Sequence, residues 1–206
     1  MDQKPIPDIV VGRLPLYLRT LQRMASEGQS VTSSQELGER LGISAAQIRK
    51  DLSQFGEFGK QGTGYAVDYL LDQLRKILKV DRVWDIAVVG AGDIGSAVAR
   101  YQGFTNRGFR VAMLFDNNPQ IIGTQVGSFT VQDTASMVDA ILEAGIIVAM
   151  IAVPASQAQS VVDELVKAGI KAILNYAPLS LNVPDGIYVQ HTDPVTHLQR
   201  MTYYLD

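Results

Sequence analysis

Gly90, Ala91, Gly92, Asp93, Ile94 and Gly95 form the stretch whose chemistry is most tightly constrained by residue type and spacing. They fit G-x-G-x-x-G, directly after the apolar run 86–89 and before the helix-forming segment 96–100. A second apolar run, 111–115, ends at Asp116, which lies 21 residues after Gly95. Strand, glycine turn, helix, strand and terminal acid, at this spacing, make a dinucleotide-binding unit. Gly90 permits the tight turn, Gly92 lets backbone N–H groups approach a pyrophosphate, and Gly95 lets helix and strand pack closely. The helix N-terminus then faces the anion. A carboxylate at Asp116 accepts hydrogen bonds from ribose hydroxyls and repels a 2′-phosphate. Asn117 and Asn118 offer no guanidinium for such a phosphate, so the expected cofactor is NAD(H) rather than NADP(H). The bland alternative is an aspartate that caps a turn before Pro119. Val153 and Pro154, at the end of the apolar run 146–153, fall on the same ligand-binding edge and are candidates for nicotinamide-ribose contact.

A second set of polar residues lies at 44–60. Ser33-Ser-Gln-Glu36 and Ser44-Ala-Ala-Gln47 are two capping boxes, each opening a short helix, with Gly42 between them. Ile48, Leu52 and Phe55 face inward on the second helix. Ser44 at its start and Gln47, Arg49, Lys50 and Ser53 on its polar face suit phosphates and base edges in a major groove. The glycine-rich run 57–65 that follows reads as a two-stranded wing with Lys60 near its tip, placed for a minor groove or a phosphate. Taken alone, these features also fit a helical scaffold with solvated cations and an ordinary hairpin.

The elements that position these groups follow from periodicity. Residues 8–27 are expected to be helical with Ile9, Leu14, Leu18, Leu21 and Met24 near one face. Pro15 should mark a kink or restart, and Gly28 should close the helix. Residues 67–79 return to helical spacing. From Trp84 onward apolar strands alternate with helices, with a short third strand expected within 121–131 and a terminal helix over 194–205. That alternation predicts a doubly wound parallel sheet. The fold class is therefore α/β: an N-terminal winged-helix domain (1–80), a linker, and a Rossmann-like domain with a C-terminal helix (84–206).

Composition narrows the function classes. The chain has 206 residues and no cysteine, so disulfides, thiolate nucleophiles and cysteine-based metal sites are excluded. No signal-peptide pattern opens it, and no apolar run approaches the roughly 18 residues of a membrane span, so a cytoplasmic protein without membrane or metal partners is expected. Residues 1–83 carry 12 Lys and Arg against 10 Asp and Glu, a net +2; residues 84–206 carry 6 against 11, a net −5. The first half is thus the better candidate for a polyanion partner. A dehydrogenase needs a substrate domain and a proton-transfer group near the nicotinamide. The chain has only two histidines, His191 and His197 near its C-terminus, and shows no Ser/His/Asp spacing. Two alternatives stay open: a small oxidoreductase whose helical domain dimerises, and a nucleotide module for coenzyme A.

Over nearly its full length the sequence resembles the redox-sensing transcriptional repressor Rex family. The resemblance is carried by Arg13-Leu-Pro-Leu-Tyr-Leu-Arg19, Thr32-Ser-Ser-Gln-Glu-Leu-Gly38, Gln47-Ile-Arg-Lys-Asp-Leu-Ser-Gln-Phe-Gly56 and Gly62-Thr-Gly-Tyr65 in the first half. In the second it rests on Val88-Val-Gly-Ala-Gly-Asp-Ile-Gly95, Phe115-Asp116 and Ala168-Gly-Ile-Lys-Ala-Ile-Leu-Asn-Tyr-Ala-Pro178. It implies a homodimeric, non-enzymatic repressor that binds inverted-repeat operator DNA and releases it when NADH binds. It also implies a terminal helix, with Leu198, Met201 and Leu205, that crosses to the partner subunit. By position, Arg19, Tyr101 and Asp193 match the family's polar coupling residues, while Pro194 departs from the bulky apolar residue common there.

Overall fold

Proline and glycine punctuate the first helices. In the computed structural model, which describes residues 6–59 and 62–205, α1 (Asp8–Val11) stops at Gly12 and α2 (Leu14–Ser26) starts afresh with Pro15 in its first turn, where a missing N–H costs nothing. Leu14, Tyr17, Leu21 and Met24 are buried at helical spacing. Ile9, expected on the inner face, is instead 68% exposed, because the break at Gly12 resets the helical phase and Val10 turns inward. Strand β1 (Val31–Thr32) leads into α3 (Ser34–Leu41), whose N-cap Ser33 accepts the Glu36 N–H at 3.1 Å. The reciprocal half of the expected capping box is redirected: the Glu36 carboxylate accepts from Gln29 Nε2 and Thr32 Oγ1. Gly42 ends α3 in the left-handed region, and α4 (Ala45–Ser53) begins at its own N-cap, Ser44. Gly38 makes this tight pair of helices possible, since a Cβ there would collide with the Ile43 carbonyl oxygen.

Among its described residues, the glycine-rich run 57–65 shows no two-stranded wing of its own. Its last residue joins β2 (Tyr65–Ala66), which pairs antiparallel with β1, while 57–59 and 62–64 are loop and turn with an isolated bridge at Gly64. The glycines serve close backbone approach instead: a Cβ on Gly59 would lie 2.5 Å from the Gly64 carbonyl oxygen, and one on Gly64 would collide with that of Thr32. Lys60 lies outside the described residues. Helix α5 (Val67–Ile77) seals this unit with Val67, Leu70, Leu71 and Leu74 buried against α2.

The chain divides into two compact units, Met1–Arg82 and Val83–Asp206. The second runs β3 (Trp84–Val89), α6 (Asp93–Arg100), a 3-10 segment (Gln102–Arg107), β4 (Phe109–Asp116), the hairpin β5 (Gln125–Val126) and β6 (Phe129–Thr130), and β7 (Gln132–Asp133). It continues through α7 (Met137–Ala144), β8 (Val148–Ile151), α8 (Ala155–Lys167), β9 (Ala172–Asn175), β10 (Tyr188–His191) and α9 (Pro194–Thr202). The third strand expected within 121–131 is displaced, because those residues form the hairpin around Gly127 and the sheet takes Gln132–Asp133 instead. The six-stranded sheet has the order β7-β4-β3-β8-β9-β10, with every pairing parallel. This is the doubly wound arrangement, in which the order reverses between β3 and β8. Both faces of β3 are covered: Ala87 and Val89 join one apolar cluster, Ile86 and Val88 another, so its period-2 pattern is hidden under continuous hydrophobicity. Helix α9 ends at Thr202, short of the expected 205, and buries no residue.

Candidate functional site

At the carboxyl ends of β3, β4 and β8 lies a cavity of about 650 Å³, at the point where strand order reverses. Gly90, Gly92, Asp116, Val153 and Pro154 line it. The three glycines are there for three different reasons. Gly90 has φ +98°, and a Cβ would sit 2.5 Å from the Ala152 carbonyl oxygen. A Cβ on Gly95 would collide with the Gly90 carbonyl oxygen. Gly92 has ordinary φ, and a Cβ would meet nothing within 4 Å. Its lack of a side chain therefore does nothing for the packing of the chain itself; it leaves open space in front of the backbone, which a phosphate could enter. Gly92 is also the N-cap of α6 and supplies no capping side chain, so the first N–H groups of the helix stay free for an anion.

Asp116 is the last residue of β4. Its Oδ2 accepts the Ala91 N–H at 2.7 Å and its Oδ1 the Asn118 N–H at 2.8 Å. The turn-capping alternative is thus part of its role. The same two bonds aim the carboxylate at the glycine turn and leave further lone pairs for ribose hydroxyls. These residues fit the adenosine and pyrophosphate portions of a dinucleotide. Ala91 contributes through its N–H to Asp116, while Asp93 and Ile94 are exposed in the first turn of α6. Sequence reasoning missed the far wall of the cavity, formed by Asp133 at the end of β7, by Thr134, Ala135, Met137 and Val138 after it, and by Gln157, Ser160, Val161 and Glu164 of α8. The carboxyl end of the third strand was the signal for the first group, but that strand is only two polar residues long.

In the first unit, the expected DNA-reading residues do not form a uniform polar face. Ser44 Oγ is occupied by the Gln47 N–H at 3.2 Å. Arg49 Nη1 donates to Ser34 Oγ at 2.9 Å, tying α4 to the start of α3, and Ser53 Oγ donates to the Lys50 carbonyl. Lys50 is exposed and, among the described residues, its side chain makes no hydrogen bond or ion pair. A concavity of about 660 Å³ lies beside Arg49, between Ser33, Ser34 and the loop glycines 59, 62 and 64. Gln47 Nε2 donates to Asp51 Oδ1 at 2.7 Å. Asp51 was not anticipated: it is fully buried within α4 and also accepts from Arg13 Nε and Nη2 at 2.6 and 2.7 Å and from Tyr17 Oη at 2.6 Å. Burial alone would raise its pKa. The donors, led by Arg13, outweigh burial and hold the carboxyl below the usual carboxylate range. Burial and the adjacent Asp51 push the Tyr17 phenol upward.

The three coupling candidates each have a local place. Arg19 is exposed on α2, Tyr101 is half-exposed at the end of α6 with its ring edge-on to Phe104 at 5.1 Å, and Asp193 caps α9 by accepting the Val195 N–H at 2.9 Å. Among the described residues no cluster of three His, Asp or Glu side chains could hold a metal, and no helix is long and apolar enough to cross a membrane.

Comparison with known proteins agrees with this division. Residues 5–53 match the family described as putative DNA-binding protein N-terminus, and residues 81–179 match the CoA binding domain. The chain is 56% identical over 199 residues, 97% of its length and 90% of the relative's, to the redox-sensing transcriptional repressor Rex of Roseiflexus sp. (strain RS-1). It belongs to the Rex family of redox-sensing transcriptional repressors. The homologous repressor Rex of Brevibacillus brevis is 42% identical, with 97% of each chain covered. Among solved structures, RSP in complex with β-NAD⁺ and operator DNA aligns with a TM-score of 0.93 at 37% identity, covering 98% of this chain and 93% of that one. RSP in complex with β-NADH aligns at 0.89 and 35%, covering 98% and 95%. These relatives are named as regulators, not enzymes.

Proposed function

We propose that the chain is a redox-sensing repressor of the cytoplasm that holds inverted-repeat operator DNA through α4 and gives it up when NADH fills the cavity at the glycine turn. The observation that carries this reading is Gly92: the fold itself has no use for its missing side chain, while a dinucleotide phosphate does. The neighbouring Asp116 carboxylate favours NAD(H) over NADP(H). Lys50, with Gln47 and Arg49 on the same helix and Lys60 further along the sequence, serves bases and phosphates. The homologue RSP, solved with NAD⁺ and operator DNA and again with NADH, supports the same assignment.

Two copies are needed for an inverted repeat. Helix α9 supports a dimer: Val195, Leu198 and Met201 stand 55%, 58% and 62% exposed on one face, followed by exposed Tyr203, Tyr204 and Leu205. Control then works by population shift. Two dimer shapes differ in the separation of their α4 helices, and only one places them about 34–36 Å apart, one turn of DNA. NADH must bind the other shape more tightly, since equal affinity shifts nothing. Reduction removes the positive charge and planarity of the nicotinamide, which lets the site tell the two forms apart. Arg19, Tyr101 and Asp193 are the groups proposed to carry the change between domains.

Operator binding measured in parallel with no cofactor, with NAD⁺ and with NADH tests the reading. Release is expected only with NADH; a duplex retained at saturating NADH would sink it. The match of 81–179 to the CoA binding domain favours a second reading, a coenzyme A module. Calorimetric competition separates the two, since coenzyme A displacing bound NADH at comparable concentration supports the second.

A further inference from the structure

Asp51 sits one helical turn after Gln47, on the helix proposed to enter the major groove. It accepts four hydrogen bonds from three side chains: a bidentate pair from Arg13 at the start of α2, one from Tyr17 a turn further along α2, and one from Gln47. The residue is wholly buried, and Arg13 only one-fifth exposed. An ionised carboxylate offers acceptors only. Whatever approaches it must therefore present a donor, and the Gln47 amide can meet it only with its NH₂ side. Arg13 and Tyr17, both anchored in α2, keep the carboxylate from rotating to suit Gln47. The polarity of the amide is thus dictated from the core, while, among the described residues, Oε1 and the second Nε2–H stay uncommitted.

We infer that Asp51 is a positioning residue for sequence recognition, fixing the Gln47 amide so that its free acceptor and donor read an adenine in each operator half-site. Adenine presents N6–H₂ and N7 side by side in the major groove, which matches one amide oxygen and one amide N–H. An unrestrained glutamine can turn over and offer the same two groups in either order; one held by Asp51 offers a single order. The residue beside it in the helix register, Lys50, then supplies attraction, and Gln47 supplies discrimination. This rests on the repressor reading above.

The experiment uses the full chain and an inverted-repeat duplex selected with the unmutated protein from a randomised pool. Affinities are measured by fluorescence anisotropy for duplexes substituted at each half-site position in turn. One A·T position should cost roughly tenfold or more when replaced, the scale of a good bidentate contact. Gln47→Met should abolish that preference. Asp51→Asn should weaken it at that position alone, and the Gln47→Met/Asp51→Asn double variant should be no less selective there than Gln47→Met. Tyr17→Phe, which removes one restraint on the carboxylate, should produce a partial loss at the same position, and it decides the matter if Asp51→Asn does not fold. Full base preference in folded Asp51→Asn, or in Tyr17→Phe where only that variant folds, overturns the inference. So does a loss spread evenly over all positions, or a preference that survives Gln47→Met. Failure of the unmutated chain to select any duplex strikes the repressor reading itself.

Discussion

Alanine at Gly92 and alanine at Gly95 should fail in opposite ways, although both break the same motif. At Gly95 the new methyl group collides with the Gly90 carbonyl oxygen and lies 3.6 Å from Ala152 Cβ. The obstruction is backbone, which cannot rotate aside, so the glycine turn must open. Overpacking of this kind costs about 1–3 kcal/mol, and the upper end is expected here. At Gly92 φ is −66° and a Cβ meets open space. Alanine there adds no collision; its gain of about 0.4–1 kcal/mol through the unfolded chain is offset by its poorer fit at the N-cap of α6, so stability should change little. The methyl group instead occupies the approach of the pyrophosphate to the N–H groups of α6. Loss of one charge-assisted hydrogen bond is about 1.5–3 kcal/mol, roughly ten- to hundredfold in NADH affinity. Thermal unfolding followed by circular dichroism and NADH titration by calorimetry, on both variants, separate the two effects. Gly92→Ala should melt close to the unmutated chain and bind NADH poorly; Gly95→Ala should melt clearly lower and bind poorly as well. The reasoning is refuted if Gly92→Ala binds NADH as tightly as the unmutated protein, or if it melts as low as Gly95→Ala.

Asp116→Asn should narrow the preference for NADH over NADPH, read as the ratio of the two dissociation constants; equal affinity for both in the unmutated chain would remove Asp116 as the selector. Lys50→Ala should weaken binding by a similar factor on every duplex and lower its salt dependence, and unchanged affinity takes it out of the interface. Because the folded Asp51 carboxyl titrates below its ordinary value of 3.8, its contribution to stability is fully present above that value and is lost as pH falls through the folded pKa. Urea unfolding of Asp51→Asn should therefore lack part of the acid-side decline seen in the unmutated chain, and parallel curves would argue against an ionised Asp51. Replacing both Leu198 and Met201 with Asp should give a monomer in sedimentation velocity; an unchanged dimer would assign α9 another partner.

The residues legible in the sequence are those whose requirement is local. A glycine turn after an apolar strand is constrained by its own backbone, so the separate tasks of Gly90, Gly92 and Gly95 are legible from residue type and spacing. Ser33 and Ser44 were readable as caps for the same reason, since each bonds an N–H three residues on. The far wall of the cavity was not readable, because it joins β7 to α8 through a strand order that no short window contains. The pairing of β1 with β2 was not readable, because strands of two residues carry no period and the two are separated by two helices. Asp51 shows the limit most sharply. It stands at 48, 51, 52, 55 spacing on the inward stripe of α4, where a charge demands a partner. Yet its partners lie 38 and 34 residues away, at Arg13 and Tyr17. The polar face of α4 therefore looked like an undivided set of DNA contacts. The buried carboxylate divides it. Arg49 and Ser53 hold the local frame and Gln47 is held by the core, while of these four side chains that of Lys50 alone is uncommitted among the described residues. Affinity and specificity should then come apart under mutation: changes at Lys50 should move all duplexes together, and changes at Gln47 or Asp51 should move only those that differ at one base pair.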